Sequence, residues 1–245
     1  MSVSVGAGHE FDTGLLGHHC WLELANGERV ELPVDRWTDD SCDGDEVLLG
    51  PCHGPTLDIG CGPGRLVAAL TRRGVLSLGV DSSRTAVRLT RQRGAIALHR
   101  NVFDRLPAEG RWRHVLLADG NIGIGGDPIA LLRRVAELLA FDGNALIELD
   151  PPGCGLRNER VRLLPQSTIE QHGGIKQPST TEQHGTMEQH STLEQQGTME
   201  QHSGTWFPWA WASVDVIGEL ARQAALRVER TARQGHRWFA ELVRE

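Results

Sequence analysis

Tyrosine is absent from this 245-residue chain, and Lys176 is its only lysine. Arginine supplies the rest of the positive charge, a skew that reads as coding bias and carries little chemistry. Positive charge as a whole is short, and the net charge is −7. A groove that tracks phosphates needs the opposite balance, so nucleic acid is not the expected main partner. No apolar run approaches the ~20 residues of a membrane-spanning helix. The N-terminus lacks the basic and apolar regions of a secretory signal, so a cytoplasmic location is expected. The cysteines, Cys20, Cys42, Cys52, Cys61 and Cys154, are odd in number and form no C-x-x-C pair, which fits reduced thiols rather than a disulfide framework. The spacing of Cys42, Cys52 and His53 fits no zinc pattern, so no metal site is predicted. Oligomeric state leaves no signature in the sequence.

What is present centres on Thr56-Leu-Asp-Ile-Gly-Cys-Gly-Pro-Gly-Arg65. The apolar run Thr56 to Ile59 reads as a buried strand. It breaks into a turn at Gly60, Gly62 and Gly64, and a helical pattern follows at once. Leu66, Val67 and Leu70 fall on one face, with Arg65, Arg72 and Arg73 on the other. Strand, glycine turn and helix N-terminus together let a ligand approach backbone closely and meet free N–H groups. A dinucleotide fingerprint asks for glycine at position 65, which here is Arg65, while the third glycine comes one place early. Asp58, two residues before Gly60, suits an ammonium and a sulfonium better than a pyrophosphate.

Hydrophobe-Asp-hydrophobe-Gly-x-Gly-x-Gly resembles motif I of the class I S-adenosylmethionine (SAM) dependent methyltransferases. The resemblance is strong over residues 55 to 150. It implies an α/β, Rossmann-like fold: a seven-stranded, mostly parallel sheet with helices on both faces and an antiparallel last strand. It also implies SAM as cofactor and methyl transfer as activity, to an acceptor that no motif names but that is expected to be a small molecule. Two alternatives stand beside it, an NAD(P)-type oxidoreductase on the same fold and a SAM-binding protein without catalysis.

Along the chain, Cys20 to Leu32 reads as a hairpin with the loop Ala25-Asn26-Gly27, which pairs Leu22 with Val30 and Cys20 with Leu32 on an apolar face. Glu23 then meets Arg29 on the wet face. Residues 1–15 are glycine-rich and are expected to be mobile. Residues 1–50 form an N-terminal extension, read either as a lid beside the cofactor mouth or as cover for a sheet edge. Residues 51–245 form the SAM-binding domain. Val75 to Val80 is the second strand, and Asp81, at its end, can accept both hydroxyls of a ribose. Ser82 or Ser83 can then cap the helix from Thr85. After the third strand, the resemblance places Asn101 and Val102 at the adenine, with Asp104 as the rival acceptor. The fourth strand, Trp112 to Leu117, opens into a loop from Ala118 to Gly126 that contains four glycines, so backbone there lies against a ligand or another segment. In the resemblance this is the fourth motif, and Asp119 and Asn121 are its candidate polar contacts; turn capping is the alternative. The helix from Asp127-Pro128 has Leu131, Leu132, Val135, Leu138 and Leu139 on its apolar face. A turn at Asp142-Gly143 then leads to the fifth strand, Ala145 to Leu149, and to Asp150.

Cofactor-binding candidates are thus Asp58, Gly60, Cys61, Gly62, Gly64, Asp81, Ser82, Asn101, Val102, Asp119 and Asn121. If the acceptor needs a base, Asp119 and Asp150 are the catalytic candidates, with His53 beside them; Glu148 is expected to point elsewhere. Arg157 to Leu164 reads as a strand whose return partner is Trp206 to Trp211, with Phe207, Trp209 and Trp211 on one face as substrate wall or core. The polar hexapeptide array between them, residues 168–203, is read as an expanded insertion without a core of its own. A helix from Ser213 and two strands, Leu226 to Arg230 and Trp238 to Val243, close the chain.

Overall fold

A computed structural model describes residues 8–40, 42–166 and 204–245; the hexapeptide array, residues 168–203, lies outside the described residues. In chain order the elements begin with α1 (Asp12–Leu15), β1 (Cys20–Leu24), β2 (Arg29–Glu31), α2 (Val34–Thr38) and α3 (Asp45–Leu49). Then come β3 (Thr56–Ile59), α4 (Arg65–Arg72), β4 (Ser77–Asp81), α5 (Arg84–Gln92), β5 (Ala97–His99) and β6 (Trp112–Leu117). A 3-10 segment at Asn121–Gly126 leads to α6 (Pro128–Leu138), β7 (Leu139–Leu149), β8 (Leu156–Pro165) and β9 (Phe207–Ala212). The last elements are α7 (Ile217–Arg222), β10 (Leu226–Gln234) and β11 (Arg237–Arg244).

Seven strands form one sheet in the order β10-β11-β7-β6-β3-β4-β5. The pairs from β7 to β5 are parallel, and β11 lies antiparallel between β7 and β10. The alternation of side chains along each strand divides the core in two. Val115 and Leu117 of β6 join Leu57, Ile59 and Ile147 under α6 and α7. Leu116 of the same strand faces the other way, with Leu146, and packs against α3 and α4. Helices on both faces follow from this burial on both sides.

Local chemistry places the helices. Ser83 caps α5 by accepting the Ala86 N–H at 3.0 Å, and Asp127 caps α6 by accepting that of Ala130 at 3.0 Å, with Pro128 in the first turn. The expected turn at Asp142-Gly143 does not form. β7 starts at Leu139, immediately after α6, and the expected strand is its second half. A Cβ on Gly143 would lie 2.8 Å from the Trp112 carbonyl, so this glycine permits close approach to β6 at the register shift between Trp112 and His114 rather than a turn.

The N-terminal hairpin has the expected register, Leu22 opposite Val30 and Glu23 opposite Arg29, with Gly27 at φ +86°. It does not stand alone. β1 also pairs with β8, and β8 with β9, giving a four-stranded antiparallel sheet ordered β2-β1-β8-β9. Glu23 is therefore buried rather than wet, held by Arg29 and Arg162. The segment from Gly8 to Leu15, expected to be mobile, includes α1 and is tied down: the Asp12 carboxylate accepts from Ser83 Oγ at 2.5 Å and Thr85 Oγ1 at 2.8 Å.

Candidate active site

In the sheet order, β4 lies on one side of β3 and β6 on the other, so the chain leaves β3 in opposite directions and a crevice opens at the carboxyl ends of these strands. A cavity of about 310 Å³ occupies that crevice. The large sheet forms its floor, and α1, α2 and the four-stranded sheet form its roof. It extends from Asn101 and Val102, past Asp81 and Gly60 to Gly62, to Asp119, Asp150 and the aromatic side chains of β9.

Asp81 ends β4 with both carboxylate oxygens fixed. Oδ2 accepts the Gly62 N–H at 3.0 Å and Oδ1 the Ser83 N–H at 2.8 Å. Burial raises its pKa, and these two N–H groups oppose the rise. Capping of α5 falls to Ser83, which leaves the second lone pairs of Asp81 to the cavity. Ser82 and Val102 line the same wall. Asn101 lines it too, its Oδ1 accepting the Phe103 N–H at 3.0 Å, while Asp104 is exposed and outside the cavity.

The glycine turn divides by role. Gly60 has φ +69°, and a Cβ there would lie 2.7 Å from Asn121 Nδ2. Asn121 is locked to this turn, since its Nδ2 donates to the Ile59 and Gly60 carbonyls at 2.9 Å each. Cys61 and Gly62 line the cavity, but the Cys61 thiol packs into the core among Val67, Ala68 and Val87, where burial raises its pKa well above the ordinary value. Gly64 is not on the cavity wall. A Cβ there would meet Thr90 at 2.6 Å, so it lets α4 pack on α5. Asp58, only 3% exposed, takes no hydrogen bond from a described group, and burial pushes its carboxyl up to about 8.

Arg65, on the face opposite Leu66, Val67 and Leu70, is buried as they are. Arg65 is 3% exposed and stands between Asp45, which it contacts through Nη1, and Asp119, at 2.7 Å from Nη2. Arg36 of α2 adds contacts to Asp119 at 2.9 Å and to Glu148 at 3.3 Å. Arg237 of β11 bonds Glu148 through Nε at 2.9 Å and Nη2 at 2.8 Å, and Asp45 at 2.9 Å. Three guanidiniums and three carboxylates thus form one buried, charge-balanced cluster. Burial raises the Glu148 carboxyl, but Arg237 and Arg36 outweigh it and hold the pKa below the ordinary range. Glu148, expected to point elsewhere, also accepts the Asp119 N–H at 2.8 Å and supports that residue's left-handed backbone, φ +53°. Asp119 therefore reaches the cavity already ion-paired. His53 contacts His114 and the Pro51 carbonyl and lies outside the cavity. Asp150 lies on the wall with its N–H bonded to the Ala212 carbonyl at 2.9 Å. Burial raises its pKa, Glu148 adds to the rise and Arg157 opposes it.

The glycine-rich loop after β6 meets another segment on one side and the cavity on the other. A Cβ on Gly123 would fall 2.1 Å from the Ala210 carbonyl, and one on Gly126 2.6 Å from Pro208 Cβ, whereas one on Gly120 meets nothing within 4 Å. β9 packed on this loop brings Phe207, Trp209 and Trp211 to the cavity. Phe11 packs edge-on against Phe207, ring centroids 5.4 Å apart, and lies 5.2 Å from Trp209.

This arrangement fits SAM: a glycine backbone that admits close approach, an anchored carboxylate for a diol, and an unpaired buried carboxylate, Asp58, beside the turn. The family described as methyltransferase domain matches residues 56–143. No curated protein matches the sequence. Among solved structures, a SAM-dependent methyltransferase from Bacteroides fragilis in complex with S-adenosyl-L-homocysteine aligns over 100% of this chain and 96% of its own, at 16% identity and a TM-score of 0.66. The 1,6-didemethyltoxoflavin-N1-methyltransferase of Burkholderia thailandensis aligns over 86% of this chain and 81% of its own, at 16% identity and a TM-score of 0.55. A TehB-like SAM-dependent methyltransferase from Corynebacterium glutamicum aligns over 84% and 89%, at 17% identity and a TM-score of 0.51. At these identities the likeness is one of fold, and it agrees with the motif and with the matched domain. Residues 56–143 thus match a methyltransferase domain, and the fold around them is similar to that of SAM-dependent methyltransferases.

Proposed function

We propose that this enzyme transfers the methyl group of SAM to a small-molecule acceptor held beneath the aromatic side chains of β9. SAM supplies an electrophilic methyl on a sulfonium that leaves as a neutral thioether. The protein's task is to align the acceptor with that methyl and to exclude water. Asp81 holds the ribose hydroxyls, Asn101 and Val102 the adenine, and the Gly60-Cys61-Gly62 backbone the methionine portion, with Asp58 toward its ammonium. Asp119 and Asn121 act by position. The first is fixed by Arg65 and Arg36, and the second ties the loop after β6 to the glycine turn.

The observation that carries this reading is Asp81, its carboxylate pinned by two backbone N–H groups in the same cavity as Trp209 and Trp211. The aromatic side chains suit an acceptor with a flat or apolar body. The Burkholderia thailandensis relative carries bound 1,6-didemethyltoxoflavin, an acceptor of that size class. No helix among the described residues is long and apolar enough to cross a membrane, and we place the enzyme in the cytoplasm with no nucleic-acid partner.

Calorimetric titration with S-adenosylhomocysteine, and separately with NADH, tests the reading. Wild-type protein should bind the first and not the second. Asp81→Ala should weaken S-adenosylhomocysteine by about 100-fold or more, the loss of two hydrogen bonds to a charged acceptor, with the far-UV spectrum unchanged. Equal affinity in Asp81→Ala and wild type would remove Asp81 from the site.

A further inference from the structure

We infer that the acceptor carries a basic nitrogen, recognised as a cation between Asp150, Glu10 and the aromatic side chains of Phe11 and β9, and that Asp150 receives the proton the nitrogen loses before transfer. The inference rests on the methyl-transfer reading above and specifies its acceptor.

The acceptor half of the cavity is short of positive charge. Arg36 and Arg65 reach its wall, but both are held by carboxylates, Arg36 by Asp119 and Glu148 and Arg65 by Asp45 and Asp119. Arg100 lies at the other end, beside Asn101. The negative groups are less occupied. Glu10 uses Oε2 to accept the Gly8 N–H at 2.9 Å, while its Oε1 is buried without a hydrogen-bond partner. The Asp150 carboxylate takes no hydrogen bond from a described group. A buried acceptor oxygen without a donor is costly and is relieved by a ligand that brings one. Phe11, Phe207, Trp209 and Trp211 line the same cavity; Arg157 already stands over the Trp211 ring, 5.4 Å from its centroid, which leaves Phe11, Phe207 and Trp209 to attract a cation and exclude water. An anionic acceptor would find no free guanidinium here, and a neutral one could donate a hydrogen bond to Glu10 Oε1 or Asp150 but would leave their negative charge unbalanced.

The charged groups around Asp150 are Glu148 on its own strand, Arg157 on β8, Asp119 after β6, Arg36 on α2 and Asp215 before α7. Glu148 and Asp119 are already paired with guanidiniums, so Asp150 is the carboxylate on this part of the wall left to exchange a proton. The bound ammonium gives a proton to Asp150, and the freed nitrogen lone pair forms the N–CH3 bond. The C–S bond breaks with its electron pair to sulfur, leaving an N-methylated ammonium and a neutral thioether. Asp150 then returns its proton to water.

The test uses the full chain saturated with S-adenosylhomocysteine. Phenethylamine, 1-naphthylmethylamine and tryptamine are titrated, each against the carboxylic acid and the alcohol of the same skeleton. The amine should bind about tenfold or more tighter than both counterparts in at least one set. Asp150→Asn should lose that preference while still binding S-adenosylhomocysteine, and Asp150→Glu should regain part of it. With SAM in place of the product, Asp150→Asn should move the rise of the pH–rate profile toward the pKa of the amine. No amine preference in any set, or a preference that survives in Asp150→Asn with an unmoved pH profile, overturns the inference and leaves the methyltransferase reading standing. Failure of wild-type protein to bind S-adenosylhomocysteine overturns both.

Discussion

Replacing Arg65 by methionine removes one guanidinium from a buried cluster of three arginines and three carboxylates and leaves it with a net charge of −1. Removing one partner of a buried ion pair costs about 3–5 kcal/mol. Asp45 keeps Arg237 at 2.9 Å and Asp119 keeps Arg36 at 2.9 Å, so neither carboxylate is stranded. The lower end, about 3 kcal/mol, is therefore expected; at roughly 2–4 °C per kcal/mol for a chain of this size, Tm falls by about 6–12 °C at neutral pH. The sign with pH follows from Asp45. Burial raises its carboxyl, but Arg65 and Arg237 outweigh that and hold the pKa below the ordinary value. A carboxyl lowered in the folded state adds stability above its unfolded pKa and loses it as pH falls through the folded one. Arg65→Met weakens that pull, so the Tm gap between variant and wild type should narrow as the buffer goes from neutral to about pH 4. Adding Asp45→Asn restores charge balance, and the double variant should be more stable than the sum of the two singles by about 1 kcal/mol or more. Thermal melts by circular dichroism read all of these. A single variant that loses less than about 1 kcal/mol, or strict additivity in the double, would refute the reasoning.

Asp58 should link cofactor binding to pH. With its carboxyl pushed up to about 8 by burial, binding an ammonium beside it requires loss of a proton. S-adenosylhomocysteine affinity should thus rise by up to about tenfold per pH unit below that pKa and flatten above it, and Asp58→Asn should abolish the slope. Calorimetry in buffers of different ionisation enthalpy reads the released proton; a flat wild-type profile contradicts the idea. Asp12→Ala removes the two hydroxyl hydrogen bonds that hold α1 over Asp81-Ser82-Ser83. S-adenosylhomocysteine should then dissociate about tenfold faster in stopped flow, and an unchanged rate would show that this contact does not gate the site. Replacing residues 168–203 by a short Gly-Ser linker should shift Tm by no more than about 2 °C, because the strands on either side are held by their own pairing, Val161 opposite Phe207 and Leu156 opposite Ala212. A collapse of the melting transition would show that the array is part of the fold.

Much of the fold was legible because its signals are local. Apolar runs such as Trp112 to Leu117 and caps such as Asp127-Pro128 need only their neighbours to act. The hairpin register could be read because Gly27 sets the loop and a slip by one residue would turn Leu22 outward. The turn at Asp142-Gly143 misled because glycine serves both turns and close approach. Only the position of the Trp112 carbonyl distinguishes them. The joining of β1 to β8 was not legible, since those strands are far apart in sequence and carry no pairing signal of their own.

The sequence by itself determined the glycine turn. Asp58, Gly60, Gly62 and Asp81 sit where strand ends and glycine conformations put them, and those are set within a few residues. Tertiary structure alone decided the polar interior of the site. Arg36, Asp45, Arg65, Asp119, Glu148 and Arg237 come from six separate segments, and although Asp119 stood out as a site candidate, nothing in the sequence pairs it with the other five until the fold buries them together. It likewise decided that Trp209 and Trp211 face the cavity, because β9 is pressed onto Gly123 and Gly126 by partners distant in the chain. Local conformation follows from neighbouring residues, whereas charge burial and cavity walls depend on which distant segments the sheet order brings together.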